Sequence, residues 1–283
     1  SNDKSVSLYV NDEIAIGDNL RIDAGIRWER DDAEFRDGNA AAVNQPVQPG
    51  VGGVVRDVGS TFNGTYTVTN RVQESTSYTI GANYLFTPDF AVYGRYALGN
   101  QTNGVNPVTE IELFELGVRY NWQGVVDLTA TLFQTNFDEQ FYNFIDPTDP
   151  TQQTAFLANL RTTGVQFDAV VRPTDWLNVE FTGVFQDPTL EDLRLNGVPQ
   201  PTFDGNRPER TPTTLFTITP TIKLPNGKGE IYARYKYVGE IFADSGNGVA
   251  LPEYGVTSIG IRYNVTDRIQ LSLDGENIFD EIG

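Results

Sequence analysis

The sequence predicts an all-β fold, an antiparallel transmembrane β-barrel with about twelve strands. One observation behind this prediction is that apolar and polar residues alternate along segments of roughly ten residues, which is the period of a strand with one apolar and one polar face. The other is that tight turns and long polar loops follow each other in strict alternation between these segments. The alternative is a soluble β-sandwich or β-helix with a polar outer face, but the strands of soluble proteins average about five or six residues.

The clearest pair of strands lies in the middle of the chain. Apolar residues occupy every second position from Val165 to Val171 and again from Leu177 to Phe185, with the turn Pro173-Thr174-Asp175 between them. Two such strands form an antiparallel hairpin. The predicted strands, in chain order, are residues 5–16, 20–28, 61–86, 90–99, 114–120, 126–144, 165–172, 177–186, 216–224, 231–237, 257–263 and 269–273. Pro220 removes a hydrogen-bond donor from its strand, so we expect a bulge there.

Long polar stretches separate the predicted hairpins. They lie near residues 31–60, 100–109, 145–155, 187–211 and 244–253. Gly, Asn, Asp and Pro recur in them, which is typical of loops. Because the strands within each hairpin are joined by short turns, we expect all the long loops at one end of the barrel.

The composition excludes several classes of function. The chain has 38 acidic and 20 basic residues and a formal net charge of -18, which argues against a nucleic-acid partner. It contains no Cys and no His, so disulfides, a catalytic thiolate, a Ser-His-Asp triad and a His-ligated metal are excluded within it. It also contains no Met, so we expect a processed product or a fragment. The mean hydropathy of -0.34 suits a barrel, in which only alternate residues face lipid.

The two faces of the predicted strands suggest different surroundings. Several apolar faces carry aromatic residues near their ends, as expected at membrane interfaces; these are Trp28, Phe90, Tyr120, Trp176, Phe185 and Tyr263. The opposite faces carry charges of both signs, for example Arg95, Glu115, Arg119 and Asp168. We therefore expect a lumen that is filled with water or with a polar domain.

Several motifs, taken in order, resemble the C-terminal part of a TonB-dependent outer-membrane receptor. Residues 5–13 and 20–29 resemble a mid-barrel hairpin of that family, and residues 90–99 resemble its strand with the pattern hydrophobic-Tyr-x-Arg-Tyr-x-x-Gly. Further similar motifs are residues 163–168 (with Gln166 where Glu is usual), 210–212, 237–239 and 277–280. The similarity extends over essentially the whole chain.

The resemblance implies that this chain is one partial barrel domain, residues 1–283. Receptors of the family have a 22-stranded barrel and an N-terminal plug with an energy-coupling box, and neither the plug nor the remaining strands are expected here. The implied function is energised uptake of a scarce nutrient, a siderophore, glycan or cofactor, across the bacterial outer membrane, without catalysis. The implied partners are outer-membrane lipid, a small-molecule or oligosaccharide substrate and, through the plug, an inner-membrane energy-coupling protein. The long loops would then be extracellular.

Candidate ligand-binding residues are amides and aromatic residues of the loops, together with two arginines of the lumen. They are Asn100, Gln101, Asn103, Asn106, Tyr142, Asn143, Phe144, Arg95 and Arg119. The arginines could attract an anionic ligand, or they could pair with Glu115 and other wall carboxylates or contact the plug. Each loop residue could equally be an ordinary solvated side chain. No cofactor or metal ligand is expected.

Other functions for such a barrel remain open at this point. A passive porin would explain the mixed charges of the lumen, and a structural or adhesive surface barrel would explain the acidic loops. An outer-membrane enzyme with a similar number of strands, such as a phospholipase, would use Ser and His, and the absence of His argues against it. Acidic pairs such as Asp138-Glu139 and Glu191-Asp192 could hold Ca²⁺, but none has the spacing of a known calcium loop.

Overall fold

The computed structural model describes residues 2–41, 61–101, 108–145, 153–195, 197–225 and 227–282. Twelve strands of seven or more residues run through these ranges, so the predicted all-β fold is confirmed. They are β1 (Asn2–Ile16), β2 (Leu20–Ala41), β3 (Thr61–Thr87), β4 (Phe90–Gln101), β5 (Thr109–Trp122), β6 (Val126–Ile145), β7 (Gln153–Thr174), β8 (Leu177–Leu195), β10 (Thr214–Lys223), β11 (Gly229–Val238), β14 (Tyr254–Thr266) and β15 (Ile269–Gly275). The short elements are β9 (Val198–Pro199), β12 (Ile241–Phe242), β13 (Ala250–Leu251) and a 3₁₀ turn (Pro201–Phe203).

The twelve long strands form one antiparallel sheet in which each strand pairs with the next one along the chain. β9 adds to β8, and β12 pairs with β13 in a separate ribbon. Within the described ranges β1 pairs only with β2 and β15 only with β14, so each has one open edge. None of the helices described there is long and apolar enough to cross a membrane. The sheet is therefore a wall with two open edges.

Short turns lie at one end of this wall and long connections at the other, as predicted. We call these the turn end and the loop end. At the loop end β2 continues through residues 31–41, β3 begins at Thr61, and β8 continues to Leu195. Residues 31–41 and 187–195 are therefore in strands, and the loop boundaries predicted for them were wrong. Residues 31–41 are mostly polar on both faces, and in residues 187–195 the buried Leu190 and Leu193 are three residues apart. Both stretches therefore lack the period of two that marks a strand, whereas the backbone ladder does not require it. Residues 42–60, 102–107 and 146–152 lie outside the described ranges.

Pro220 does not cause the predicted bulge. β8 and β10 pair in one unbroken register, with Pro220 opposite Val179. On the other side, the pairs Ile218–Tyr235 and Thr221–Tyr232 keep a single register, and only the pairs at positions 219 and 220 are absent. The missing donor thus falls on the β11 side, and the neighbouring pairs hold the strands in place.

The sheet has one apolar face and one face of mixed polarity. The register aligns apolar residues into rows, of which one comprises Ile22, Ala82, Gly94, Leu116, Leu132, Val165 and Phe185. Large side chains of this apolar face are widely exposed, for example Leu116 at 55% and Leu273 at 74%. An apolar patch of this size on a protein surface indicates contact with lipid or with another apolar surface. Charged residues and threonines occupy the opposite face, which we call the mixed face.

Aromatic residues line the apolar face at both ends, as predicted. Toward the turn end, the ring of Phe86 lies 4.7 Å from Tyr84 and 5.7 Å from Phe90. Toward the loop end, the ring of Tyr96 lies 5.8 Å from Tyr78 and 4.6 Å from Phe114. We call the part of the apolar face between these two rows the apolar band. Strands cross a bilayer in roughly 9–11 residues, which is close to the length of the band.

The band ends abruptly on the strands that extend beyond it. On β2 the apolar residues stop at Trp28, and the next side chain on the same face is Arg30, which pairs with Glu74 at 3.1 Å and with Asp32 at 3.3 Å. β2 and β3 thus leave the band as a largely polar ribbon, in which Val68 and Val72 of β3 remain exposed. The aromatic row and the first ion pairs place the membrane boundary at this point.

Candidate functional site

The mixed face becomes apolar toward the loop end. The register places Ile111, Phe137, Leu160 and Leu190 in one row across β5 to β8. These residues have the same parity along their strands as Glu115 and Gly164, so they lie on the mixed face. We call this row the interior shelf. It presents aliphatic and aromatic surface where sequence reasoning predicted only polar groups.

One end of the interior shelf is covered by the chain that follows β8. Leu190 is only 1% exposed and packs with Ala158 and Leu193, and Phe203 of the 3₁₀ turn lies against this small cluster. The other three shelf residues are half-buried and remain accessible. An amphipathic ligand could therefore place its apolar part on Ile111, Phe137 and Leu160.

The two predicted arginines, Arg95 and Arg119, lie on the mixed face nearer the turn end. Arg95 is opposite Glu115, and the closest approach of guanidinium and carboxylate is 3.8 Å. Arg119 is stacked 5.0 Å above the ring of Tyr93, whose hydroxyl forms a 2.6 Å hydrogen bond with Thr131. Glu115 is four residues from Ile111 along β5, a separation of about 13 Å. The arginines thus lie on the turn-end side of the interior shelf, and their charged groups are accessible to solvent.

The Tyr93 ring can occupy its position because the residue opposite it on β5 is a glycine, Gly117. Gly117 is opposite Tyr93, and a Cβ added to Gly117 would lie 2.3 Å from the Tyr93 ring. The ring therefore lies flat over the glycine, and Arg119 stacks on the ring. The position of Arg119 depends on this arrangement.

The remaining predicted site residues are dispersed. Asn100 belongs to the apolar-face parity of β4, and its amide donates to the Thr76 carbonyl at 2.9 Å, so it fastens two strands at the loop end. Gln101 is exposed at the end of β4. Tyr142, Asn143 and Phe144 belong to β6 and lie near its C-terminal end. Asn103 and Asn106 lie outside the described residues. The structure brings Arg95 and Arg119 to one face. Of the other predicted residues whose side chains are described, Asn100 bonds to β3 and Gln101 lies exposed at the end of β4.

The interior shelf could have been found from the sequence by counting parity. Ile111 and Leu113 precede Glu115 by four and two residues. Because side chains alternate between the faces of a strand, all three lie on the same face. The residues predicted to bind a ligand are loop amides, loop aromatic residues and two arginines, and they do not include these apolar residues. Of the four shelf residues only Phe137 falls within a predicted strand, and the polar face of the predicted strands was assigned a polar character throughout.

Two connections at the loop end form a second ordered feature, which we call the loop junction (residues 200–210 packed against 240–249). Arg207 lies at its centre, with its guanidinium 2.6 Å from the Glu240 carboxylate and 4.3 Å above the Phe242 ring. The Asn247 side chain accepts from the Arg207 N–H and donates to the Arg207 carbonyl, both at 2.8 Å. Ser245 donates to Glu209 at 3.1 Å. The loops are thereby fixed to each other above β8 and β11.

The mixed face near the turn end contains a cavity of about 640 Å³. Its floor is formed by Thr219 and Thr221 of β10, with Glu180 of β8 on one side and Arg234 of β11 on the other. Arg262 pairs with Glu230 at 3.0 Å in the same cavity. The cavity combines hydroxyl groups with charges of both signs, a surface suited to another polar protein segment.

A smaller cavity of about 440 Å³ lies beyond the apolar band at the loop end. Glu110, Asp138 and Glu139 line it together with Asp192 and Arg194. Arg194 donates to Asp192 at 2.5 Å, and this hydrogen bond raises the pKa of the Arg194 guanidinium above its ordinary value. Within the described ranges, no cluster of three or more carboxylates has a geometry that could hold a metal ion. Arg194 and Asp192 form an ion pair in this acidic region.

Comparison with known proteins places this wall in a family. The family model described as "TonB dependent receptor-like, beta-barrel" matches residues 1–278. Among curated proteins, a probable TonB-dependent siderophore receptor, PiuA of Acinetobacter baumannii, is 23% identical over 98% of this chain and 37% of the relative.

Solved structures match over the same extent. The siderophore receptor PiuA from Acinetobacter baumannii superposes with a TM-score of 0.75 at 20% identity, covering 99% of this chain and 39% of that one. The ferric yersiniabactin uptake receptor FyuA from Yersinia pestis gives 0.74 at 17% identity, covering 99% and 41%. The copper transporter OprC gives 0.75 at 12% identity, covering 99% and 43%. The chain thus spans about two fifths of the length of these relatives.

Proposed function

The chain belongs to the TonB-dependent receptor β-barrel family, and from this membership we propose that it forms about half of the barrel wall of an outer-membrane receptor that takes up a scarce nutrient. The family match over residues 1–278 carries the proposal. Its relatives are receptors and transporters of the outer membrane, not enzymes. The apolar band accordingly faces lipid, and the mixed face is turned toward the barrel interior.

The proposed cargo is a metal–siderophore complex. The sequence relative PiuA and the structural neighbour FyuA are both named for siderophores, whereas OprC is named for copper, so the fold alone does not determine the cargo. The interior shelf supports a ligand with aromatic or aliphatic parts, and Arg95 and Arg119 below it support one that also carries negative charge. Gln101, Asn103, Asn106, Tyr142, Asn143 and Phe144 are proposed contacts at the extracellular end; Asn100 is proposed to position β4.

The proposed partners are a plug domain inside the barrel and an energy-coupling protein of the inner membrane. The threonine floor of the turn-end cavity, flanked by Glu180 and Arg234, supports a polar protein segment as its occupant. Such a segment would hydrogen-bond to Thr219 and Thr221 and could place opposite charges against the two flanking residues. Movement of this segment would open a path for the cargo.

Energy dependence tests this function. The full-length receptor would be expressed in an iron-starved host that lacks its own siderophore receptors, and uptake of iron-55 bound to a panel of siderophores would be measured. We expect uptake of at least one siderophore, lost when the energy-coupling protein is deleted. Uptake that persists without energy coupling would instead indicate a passive channel.

The interior shelf can be tested in the same assay. Phe137→Ala removes the aromatic side chain at the centre of the row and is expected to weaken siderophore binding about tenfold. Trp122→Ala removes an aromatic side chain from the turn end of the apolar face and is the matched control. Equal binding by both variants and the unmodified receptor would exclude the shelf as the binding surface.

A further inference from the structure

The apolar band contains one misplaced charge. On β1 the apolar-face positions are Val10, Asp12 and Ile14, and they are opposite Ile26, Ala24 and Ile22 of β2. The side chain of Asn11 lies against Gly25 on the mixed face, which confirms that Asp12 points the other way. Within the described ranges, no other Asp, Glu, Lys or Arg lies on the apolar face inside the band.

Asp12 finds no cationic partner on the β2 side. The residue opposite is Ala24, and the diagonal neighbours Ile22 and Ile26 are apolar. Among the residues that the structure describes, the one hydrogen bond to its carboxylate comes from the adjacent Glu13 N–H at 3.0 Å. A carboxylate that faces hydrocarbon is costly, and such residues are almost always paired. A partner for Asp12 must therefore come from beyond the open edge of β1.

We infer that the strand adjoining the open edge of β1 carries a Lys or Arg on its lipid-facing side, opposite Asp12. We assign this strand to the same receptor, because this chain spans only about two fifths of the length of its relatives. The pair adds a specific contact to a register that the apolar face already restricts, because it fixes which residue of the adjoining strand is opposite Asp12. The inference rests on the proposed barrel but not on its cargo, so it can fail while the uptake assay succeeds.

The sign of a stability change tests the pairing. The full-length receptor would be folded into phosphatidylcholine vesicles and unfolded with guanidinium chloride. If Asp12 is paired, Asp12→Leu leaves a cation alone against lipid, and we expect the unfolding equilibrium constant to rise about tenfold with a lower midpoint. Thr257→Leu, another polar-to-apolar change on the apolar face, is the control and should raise the midpoint.

The partner is then identified by exchange of charges. Each Lys or Arg on the lipid-facing side of the neighbouring strand would be changed to Asp in combination with Asp12→Lys, and one combination should restore the original midpoint. If Asp12→Leu raises the midpoint as Thr257→Leu does, Asp12 faces lipid alone and the inference is wrong. It is also wrong if no exchange within the receptor restores the midpoint, since the vesicles contain no other protein that could carry the partner charge.

Discussion

The apolar band and the loop junction are both ordered, but different interactions order them. In the band, neighbouring strands share long unbroken ladders, and side chains such as Leu116 face outward with more than half of their surface exposed. In the junction, short strands contribute little, and the Arg207 and Asn247 side chains bond to groups 33 and 40 residues away. The band takes its stability from the backbone and the lipid around it. The junction takes its stability from a few polar side chains.

This difference explains what each region tolerates. A band residue can change to any apolar residue because no single contact determines its position. A junction residue such as Arg207 makes specific bonds with the backbone and carboxylate of Glu240, and no other side chain has the same fork of donors. We therefore expect mutations in the band to act through polarity and mutations in the junction to act through geometry.

The largest effect is expected from a charge placed inside the band. Leu116 lies in the row between Gly94 and Leu132, so Leu116→Arg would put a guanidinium against hydrocarbon. The expected loss is about 2–4 kcal/mol of unfolding free energy. It would be measured by denaturant unfolding of the full-length receptor in vesicles. Gln166→Arg on the mixed face, beside Asp168, is the control and should change stability little, because that face is hydrated. Equal losses in both variants would contradict the assignment of the faces.

Arg207→Ala should act only on the loop junction. It removes a charged hydrogen bond, worth about 1.5–3 kcal/mol, from a side chain that is only 21% exposed. We expect faster hydrogen exchange in residues 200–210 and 240–249, with an unchanged global unfolding midpoint. Arg207→Lys keeps the charge but loses the planar fork and the stacking on Phe242, so its exchange should be intermediate. A drop in the global midpoint would show that the junction and the band form one cooperative unit.

Sequence alternation predicted the band well and the junction hardly at all. Leu116, Leu132 and Val165 each stand in a strict period of two, and antiparallel pairing aligned them in one row. The contacts of Arg207 have no period, because its partners are reached through loops whose paths are set by the complete fold. Arg207 and Asn247 were predicted only to lie in polar loops.

The candidate site was predicted in part for the same reason. Arg95 and Arg119 were assigned to the polar face by alternation, and the structure places them there. Asn100 was selected for its amide and its nearness to a loop, but its side chain bonds to the Thr76 carbonyl of β3. The shelf residues Ile111 and Phe137 were overlooked because a lumen was expected to be polar throughout.

The smallest effect is expected where strands of the band continue beyond it. Glu74→Gln removes one of two carboxylates that face Arg30 just past Trp28, and Arg30 keeps its contact with Asp32. Both Arg30 and Glu74 are about half exposed, at 44% and 53%, so the pair is screened by water and salt. We expect a change of less than about 0.5 kcal/mol in the unfolding free energy. The difference in unfolding free energy between the variant and the unmodified receptor should be equally small at low and at high salt. A loss comparable to that of Arg207→Ala would mean that this ribbon, like the loop junction, depends on individual polar contacts and not on its backbone ladder.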